Sequence, residues 1–435
     1  MDLESAALRA EQEVESKLEA LTNDILDLVR IPSVYGVASE TRKALLWTAQ
    51  KAESMGFAVQ WTREGDVVVA DLGEGPETLG ILVHVDVVAA GDLAKWTRPP
   101  FEPEVREGRI YGRGTEDDKG PVVASLYAMN TLRTHGLAPG KRVRLIVGSC
   151  EEGTWTDMDH FLAQFGAPDY GYSPDGEFPV FNIESGYADI TLNFHEPRRA
   201  LLETILAGES TNTIPSRAEL KFCGQSARVC EGVACHSSLP ELGDNAILKL
   251  CGDLDPDLDG FHFSRFARDF LMGEPYGAAL GIDDGTPYYQ GLFVDRGTVA
   301  PTTLRLTEDG VAMNLNLRPR AGVSREDVFG AFLRLAENYA FDIFPGDYWD
   351  PLMVSPDLPF LGRMNQAAER FGVAPGFRTS RGTTYAKAMK GFVSWGPNLP
   401  GEDSVAHKED EYLALQTLAL STKIYTAFLL TECGA

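Results

Sequence analysis

An imidazole and a carboxylate stand two residues apart in His84-Val85-Asp86, directly after the apolar run Ile81-Leu82-Val83. Residues two apart on a strand share a face, and the carboxyl ends of strands are where open α/β sheets present groups to ligands. A hydrogen-bonded histidine at a polar strand end produces the same pattern, so this pair alone decides nothing. The second signal is YGRGTEDDKG (111–120), in which Glu116, Asp117 and Asp118 stand together between glycines. Adjacent carboxylates repel one another unless solvent or a cation compensates, and the glycines let backbone bend tightly around a small group. Glu151-Glu152 closes the apolar run RVRLIVGSC. Adjacent strand residues face opposite ways, which suits one metal ligand beside one general base. Asp175 lies in YSPDGEFP (172–179), where Asp also has ordinary turn-forming reasons to occur. His407 lies in PGEDSVAHKEDEY (400–412), a polar loop before a final amphipathic helix.

Each signal has an ordinary explanation, but together they form a set of imidazoles and carboxylates at strand ends and loops. That donor set suits zinc, with manganese or cobalt as alternatives. Histidines 135, 160, 195, 236 and 262 stand in no comparable motif. There is no H-E-x-x-H, G-x-S-x-G, P-loop or complete G-x-G-x-x-G, so zincin, serine-hydrolase, NTPase and dinucleotide chemistry lose support.

Residues 10–30 carry Val14, Leu18, Leu21, Ile25, Leu28 and Val29 at helical spacing, and the Ile31-Pro32 step ends that pattern. A buried strand at 78–88, a helix at 120–136 and a buried strand at 141–152 follow. This order predicts an α/β fold whose largely parallel sheet is flanked by helices. Beyond about 188 the texture changes. ADITLNFHE, RAELKFCG and VAMNLNLRP alternate polar and apolar residues as half-exposed antiparallel strands do. A hairpin is expected with its turn at Glu308-Asp309-Gly310, and Ser324 with Asp327 resembles a capping box. The parse is a catalytic domain, 1–188 plus 353–435, interrupted by an inserted α+β lid domain, 189–352.

Sixty-four acidic against 39 basic residues leave a formal charge of −25, which disfavours nucleic-acid and anionic-membrane partners. The first thirty residues carry acids where a secretion signal carries bases and an apolar core. No apolar run approaches the ~18–20 residues that span a bilayer. Cysteines 150, 223, 230, 235, 251 and 433 include no C-x-x-C pair. A cytoplasmic location is the expectation.

The chain resembles the di-zinc aminoacylase, carboxypeptidase and carnosinase-like metallopeptidases, closest to their bacterial Xaa-His dipeptidase branch. The resemblance runs through LVRIPSV (28–34), HVDVV (84–88), PPFEPEVREGRIYGRGTEDDKGP (99–121), Glu151-Glu152, SPDGEFP (173–179) and His407 before EDEY. It implies that His84 and Asp175 bind one metal, Glu152 and His407 a second, and that Asp117 bridges the two. It also implies that Asp86 orients His84, and that Glu151 is the general base acting on a metal-bridged water to hydrolyse the amide bond of a dipeptide. In the insert, it makes Asn212 and His236 the residues that hold the substrate and its oxyanion, and Arg318 the clamp on a free carboxylate. Some relatives dimerise through a short lid and borrow the lid histidine from the partner chain. The long insert here resembles the dipeptidase lid, so a functional monomer is expected. A deacylase of N-acyl amino acids is the alternative within the family, and a non-catalytic metal-binding relative is a further one. Two departures bear on substrate preference: Ala89 replaces a common proline, and Arg381 and Thr383 in SRGTTYAKAM (380–389) stand where relatives carry glycine.

Overall fold

The computed structural model describes residues 1–138, 140–254 and 260–435. Two compact units emerge: 1–182 with 354–378 and 384–435, and 183–353 with 379–383.

The first unit is built on a mixed sheet. Its strands run in the order Ala58–Trp61, Val68–Leu72, Lys141–Gly148, Glu77–His84, Tyr170–Ser173, Phe392–Ser394 and Val180–Glu184. Parallel pairing is confined to the four central strands from Lys141–Gly148 to Phe392–Ser394, and the flanking strands pair antiparallel. The strand Glu77–His84 is largely apolar, and every residue after Glu77 is buried. That is the composition of a strand covered on both faces.

Both central strands are shorter than the sequence suggests. The ladder pairs His84 with Gly148 and ends there, leaving Asp86, Glu151 and Glu152 beyond it. The amides of Glu151 and Glu152 instead donate to the Asp86 carboxylate, at 3.3 and 3.0 Å. The two glutamates therefore lie in a turn, and the strand-alternation argument does not govern where they point.

Helix Leu3–Val29 starts earlier than its apolar periodicity, capped by the Asp2 carboxylate on the Ser5 amide. It packs on helices Lys119–His135 and Leu415–Cys433. The last of these is buried nearly all round rather than amphipathic. Its interior threonines are accommodated because Thr422 and Thr426 donate to the carbonyls one turn back, Leu418 and Thr422.

The second unit is an antiparallel sheet ordered Arg228–Glu231, Arg217–Phe222, Leu202–Ala207, Thr298–Leu306, Gly310–Arg318, Tyr187–His195 and Phe341–Trp349. Ala188, Ile190, Leu192 and Phe194 alternate into its core and meet Phe263, Phe266 and Phe332 from helices His262–Phe270 and Arg325–Tyr339. The expected hairpin is present, with Leu306 opposite Val311. The capping box at Ser324 and Asp327 is reciprocal, at 3.1 and 3.0 Å, a motif worth about 1 kcal/mol to a helix.

Candidate metal centre

Three parallel strands and one helix start deliver the candidate residues of the first unit. His84 is the last residue of its strand, Glu151-Glu152 follow the neighbouring strand, and Asp175 follows Tyr170–Ser173. Asp117 immediately precedes Asp118, the N-cap of helix Lys119–His135. His407 arrives from the loop before Leu415–Cys433 and takes a left-handed backbone, φ 65°.

These residues form two groups that share Asp117: His84, Asp117 and Asp175, and Asp117, Glu152 and His407. Asp117 divides its carboxylate between them. Its Oδ1 lies 3.0 Å from His84 Nε2 and its Oδ2 lies 2.9 Å from His407 Nε2. Asp175 Oδ2 is 3.8 Å from His84 Nε2, and Glu152 Oε1 is 3.1 Å from His407 Nε2.

The donor set fits a cation. His84 Nδ1 faces the Asp86 main-chain carbonyl at 3.0 Å, and a carbonyl only accepts, so Nδ1 carries the ring proton of the neutral imidazole. Nε2 then points a lone pair at Asp117 Oδ1, and both atoms are buried without a hydrogen bond. Two facing acceptors need a positive charge between them. Two atoms each ~2.0–2.2 Å from a tetrahedral ion lie roughly 3.3–3.6 Å apart, and the four contacts above bracket that separation.

The electrostatics say the same. Burial would lower the His84 pKa, but Asp117 and Asp86 outweigh it and hold the ring well above its usual value. His407 is likewise pulled down by burial, yet Asp117 and Glu152 push it up to about 12. Burial raises Glu151 well above the carboxylate range, and Asp175, Glu152 and Asp117 add to that against His84. Glu152 is raised by burial and by Asp117, with His407 opposing. Protons fill a site that is short of positive charge, and divalent cations would displace them. A third grouping, Glu64, Asp66 and His160, contains a direct Asp66–His160 contact at 2.6 Å near the surface.

Several supporting residues carry no clear sequence signal. The Asp86 carboxylate, expected to orient His84, is 3.5 Å from Nδ1, farther than its own main-chain oxygen. It takes the amides of Glu151 and Glu152, while Asp157 takes those of Ser149 and Cys150 at 2.7 and 3.1 Å. Two carboxylates thus hold four consecutive N–H groups of the glutamate turn. The Tyr385 hydroxyl donates to Asp157 at 2.6 Å, and the Tyr385 ring meets His84 edge-on. Gly148 makes room for this: a Cβ there would lie 2.6 Å from Tyr385 and 2.7 Å from Asp157. Asp157 could have been noticed only as an acid in the first turn of helix Thr156–Phe165, where acids are common.

Asn212, His236 and Arg318 belong to the second unit. Thr213 pairs with His236, and the Ser237 amide donates to the Asn212 carbonyl, so the two segments are adjacent. The Ser238 amide donates to His236 Nδ1 at 3.2 Å, which leaves the proton of the neutral ring on Nε2. Arg318 is 4% exposed. Its Nε donates to Asn316 Oδ1 at 3.2 Å, its Nη1 to Thr383 Oγ1 at 3.1 Å, and it lies over the Tyr187 ring. No carboxylate among the described residues pairs with it, and burial lowers its pKa to about 10. Arg381 binds Asp295 through two nitrogens, at 2.9 and 3.2 Å, and Glu241 at 2.6 Å.

The sequence profile of peptidase family M20/M25/M40 matches residues 80–431. The Bacillus subtilis (strain 168) protein named "Putative dipeptidase YtjP" is 30% identical, covering 95% of this chain and 97% of its own. Among solved structures, human carnosine dipeptidase 1 aligns at TM-score 0.65 with 15% identity, covering 98% of this chain and 99% of that one. The Saccharomyces cerevisiae dipeptidase Dug1p aligns at TM-score 0.66 with 13% identity over 98% of each chain. At such identity the two structures speak for the fold. Among the described residues no helix is long and apolar enough to cross a membrane.

Proposed function

The chain belongs to peptidase family M20/M25/M40, and from that premise we propose that it is a metal-dependent dipeptidase whose general base is Glu151. The observation that carries the reading is the division of Asp117 between His84 and His407, with the half-buried Glu151 at the same strand ends. In this assignment His84 and Asp175 would hold one divalent ion, Glu152 and His407 would hold another, and Asp117 would serve both. Bound zinc, or manganese or cobalt, would supply Lewis acidity, polarising the scissile carbonyl and lowering the pKa of water from ~15.7 toward neutrality.

Glu151 takes the proton of the attacking water and returns it to the leaving amine, so the hydroxyl goes to the acyl carbon as the C–N bond breaks. The raised proton affinity of Glu151 suits a group that must carry that proton between the two steps. Asp86 fixes the Glu151 backbone, so the base approaches from a constant direction. The second unit acts as the lid. His236, its proton on Nε2, donates to the developing oxyanion, Asn212 holds the substrate, and Arg318 receives the free carboxylate. A buried guanidinium that meets no carboxylate among the described residues is matched to an anionic ligand end.

The test is product release, read by mass spectrometry, from dipeptides, tripeptides and N-succinyl or N-acetyl amino acids with zinc or manganese supplied. Cleavage of dipeptides but not tripeptides is expected. Cleavage of the acyl amino acids alone would replace this reading with a deacylase.

A further inference from the structure

His407 poses a positioning problem. Its side chain is 49% exposed and its backbone sits in a turn between Ser404 and Glu411. Yet its Nε2 stands within about 3 Å of two carboxylates. Something must hold the loop.

Two buried carboxylates do so by exchange between loops of the first unit. Glu411, at the end of the His407 loop, reaches into the Asp117 loop. Its Oε1 accepts the amides of Gly114 and Glu116 at 3.0 Å each and that of Asp117 at 3.3 Å, while Oε2 accepts Arg113 Nη1 at 2.6 Å. Glu116, in the Asp117 loop and 6% exposed, reaches the other way. Its Oε1 accepts Asn398 Nδ2 at 2.6 Å and Ser404 Oγ at 2.5 Å, and its Oε2 accepts the Val405 amide at 2.9 Å. Each loop lends a carboxylate to the other. Val405 lies two residues before His407 and Glu116 one before Asp117, so the clasp sets the separation of His407 from Asp117.

We propose that Glu116 is a positioning residue for His407, keeping the Asp117, Glu152 and His407 group preformed so that it holds its divalent ion. This rests on the reading of His407 as a ligand. A buried carboxylate accepting three hydrogen bonds is a strong anchor. Glutamine keeps the shape but presents an NH₂ where an acceptor is needed, toward Val405 N or toward Asn398 and Ser404. Partners behind metal ligands typically contribute about 10–100-fold in affinity.

The experiment is calorimetric titration of the metal-free full-length protein with Zn²⁺, comparing wild type, Glu116→Gln, Ser404→Ala and His407→Ala. Glu116→Gln is expected to weaken one of the two binding events by about 10–100-fold and spare the other. Ser404→Ala should weaken the same event by less, and it carries the test if Glu116→Gln does not fold. Turnover of Glu116→Gln should recover at saturating metal, as a defect in placement rather than in chemistry requires. Unchanged affinities in Glu116→Gln, or equal weakening of both events, overturn the proposal. If His407→Ala itself binds two ions with wild-type affinity, the ligand reading fails first and takes the proposal with it.

Discussion

Arg318 offers a prediction in which binding and stability part company. Its guanidinium is buried, paired with neutral oxygens of Asn316 and Thr383, and faces no carboxylate among the described residues. A substrate carboxylate would add two charge-assisted hydrogen bonds at ~1.5–3 kcal/mol each. Their loss in Arg318→Ala is therefore ~3–6 kcal/mol, or about 10²–10⁴-fold in kcat/KM. Arg318→Lys should recover only part of this, since an ammonium cannot present the planar fork. Removing the cation should not destabilise the free protein in proportion. A buried charge without a counter-ion carries a desolvation cost, and Asn316 Oδ1 keeps the Ser237 hydroxyl at 2.9 Å when Arg318 is gone. Arg318→Met should accordingly hold or raise Tm. The assay compares kcat/KM for a dipeptide and its C-terminal amide, in wild type and variant, alongside thermal unfolding. Wild type should favour the free acid by the factor above, and Arg318→Ala should level the two. Equal losses on acid and amide would refute the clamp.

Two further outcomes are expected. Glu151→Gln should retain two metal ions per chain by elemental analysis while kcat falls by roughly 10²–10⁴, and a kcat within tenfold of wild type at full metal content would remove Glu151 as the base. Metal loading should also release protons. Their carboxylate neighbours push His407 up to about 12 and raise His84 well above its usual value, so the metal-free site favours the protonated rings. Coordination requires neutral imidazole, so protons should leave as metal binds and metal affinity should rise with pH. Calorimetry in buffers of different ionisation enthalpy counts these protons, and a count of zero would contradict the site's electrostatics.

The architecture was legible wherever periodicity follows burial. Tyr187–His195 alternates because one face of its sheet meets the core and the other does not, and Ser324 with Asp327 spells its cap locally. Strand ends were less legible. The runs through 78–88 and 141–152 stay apolar or unbroken in pattern past His84 and Gly148. The ladder ends where Asp157 takes the Ser149 and Cys150 amides and the Val87 amide turns to the Ser33 carbonyl, with Asp86 holding the next two amides. The final helix was misjudged as amphipathic because its threonines look polar in sequence, whereas folded they satisfy themselves on the preceding turn.

The candidate site divides along the same line. Groups that would touch a cation must be of particular types at strand ends, so they appear as compact words: His84-Val85-Asp86, the acids of 116–118, Glu151-Glu152. Groups that hold those residues in place act on backbone N–H, and every residue but proline offers the same N–H. Nothing near Gly114 announces that Glu411 will accept its amide, nor does anything near Ser149 announce Asp157. Arg381 and Thr383 show the converse. As departures from glycine they were visible in sequence, but their consequence was not, because it depends on distant partners. Arg381 meets two acids, Asp295 and Glu241, and Thr383 meets the Arg318 guanidinium. The substitutions thus add an ion-pair anchor and an oxygen for the proposed clamp within one unit. Any difference in substrate preference from glycine-bearing relatives should therefore trace to how rigidly Arg318 is held rather than to a lost metal ligand.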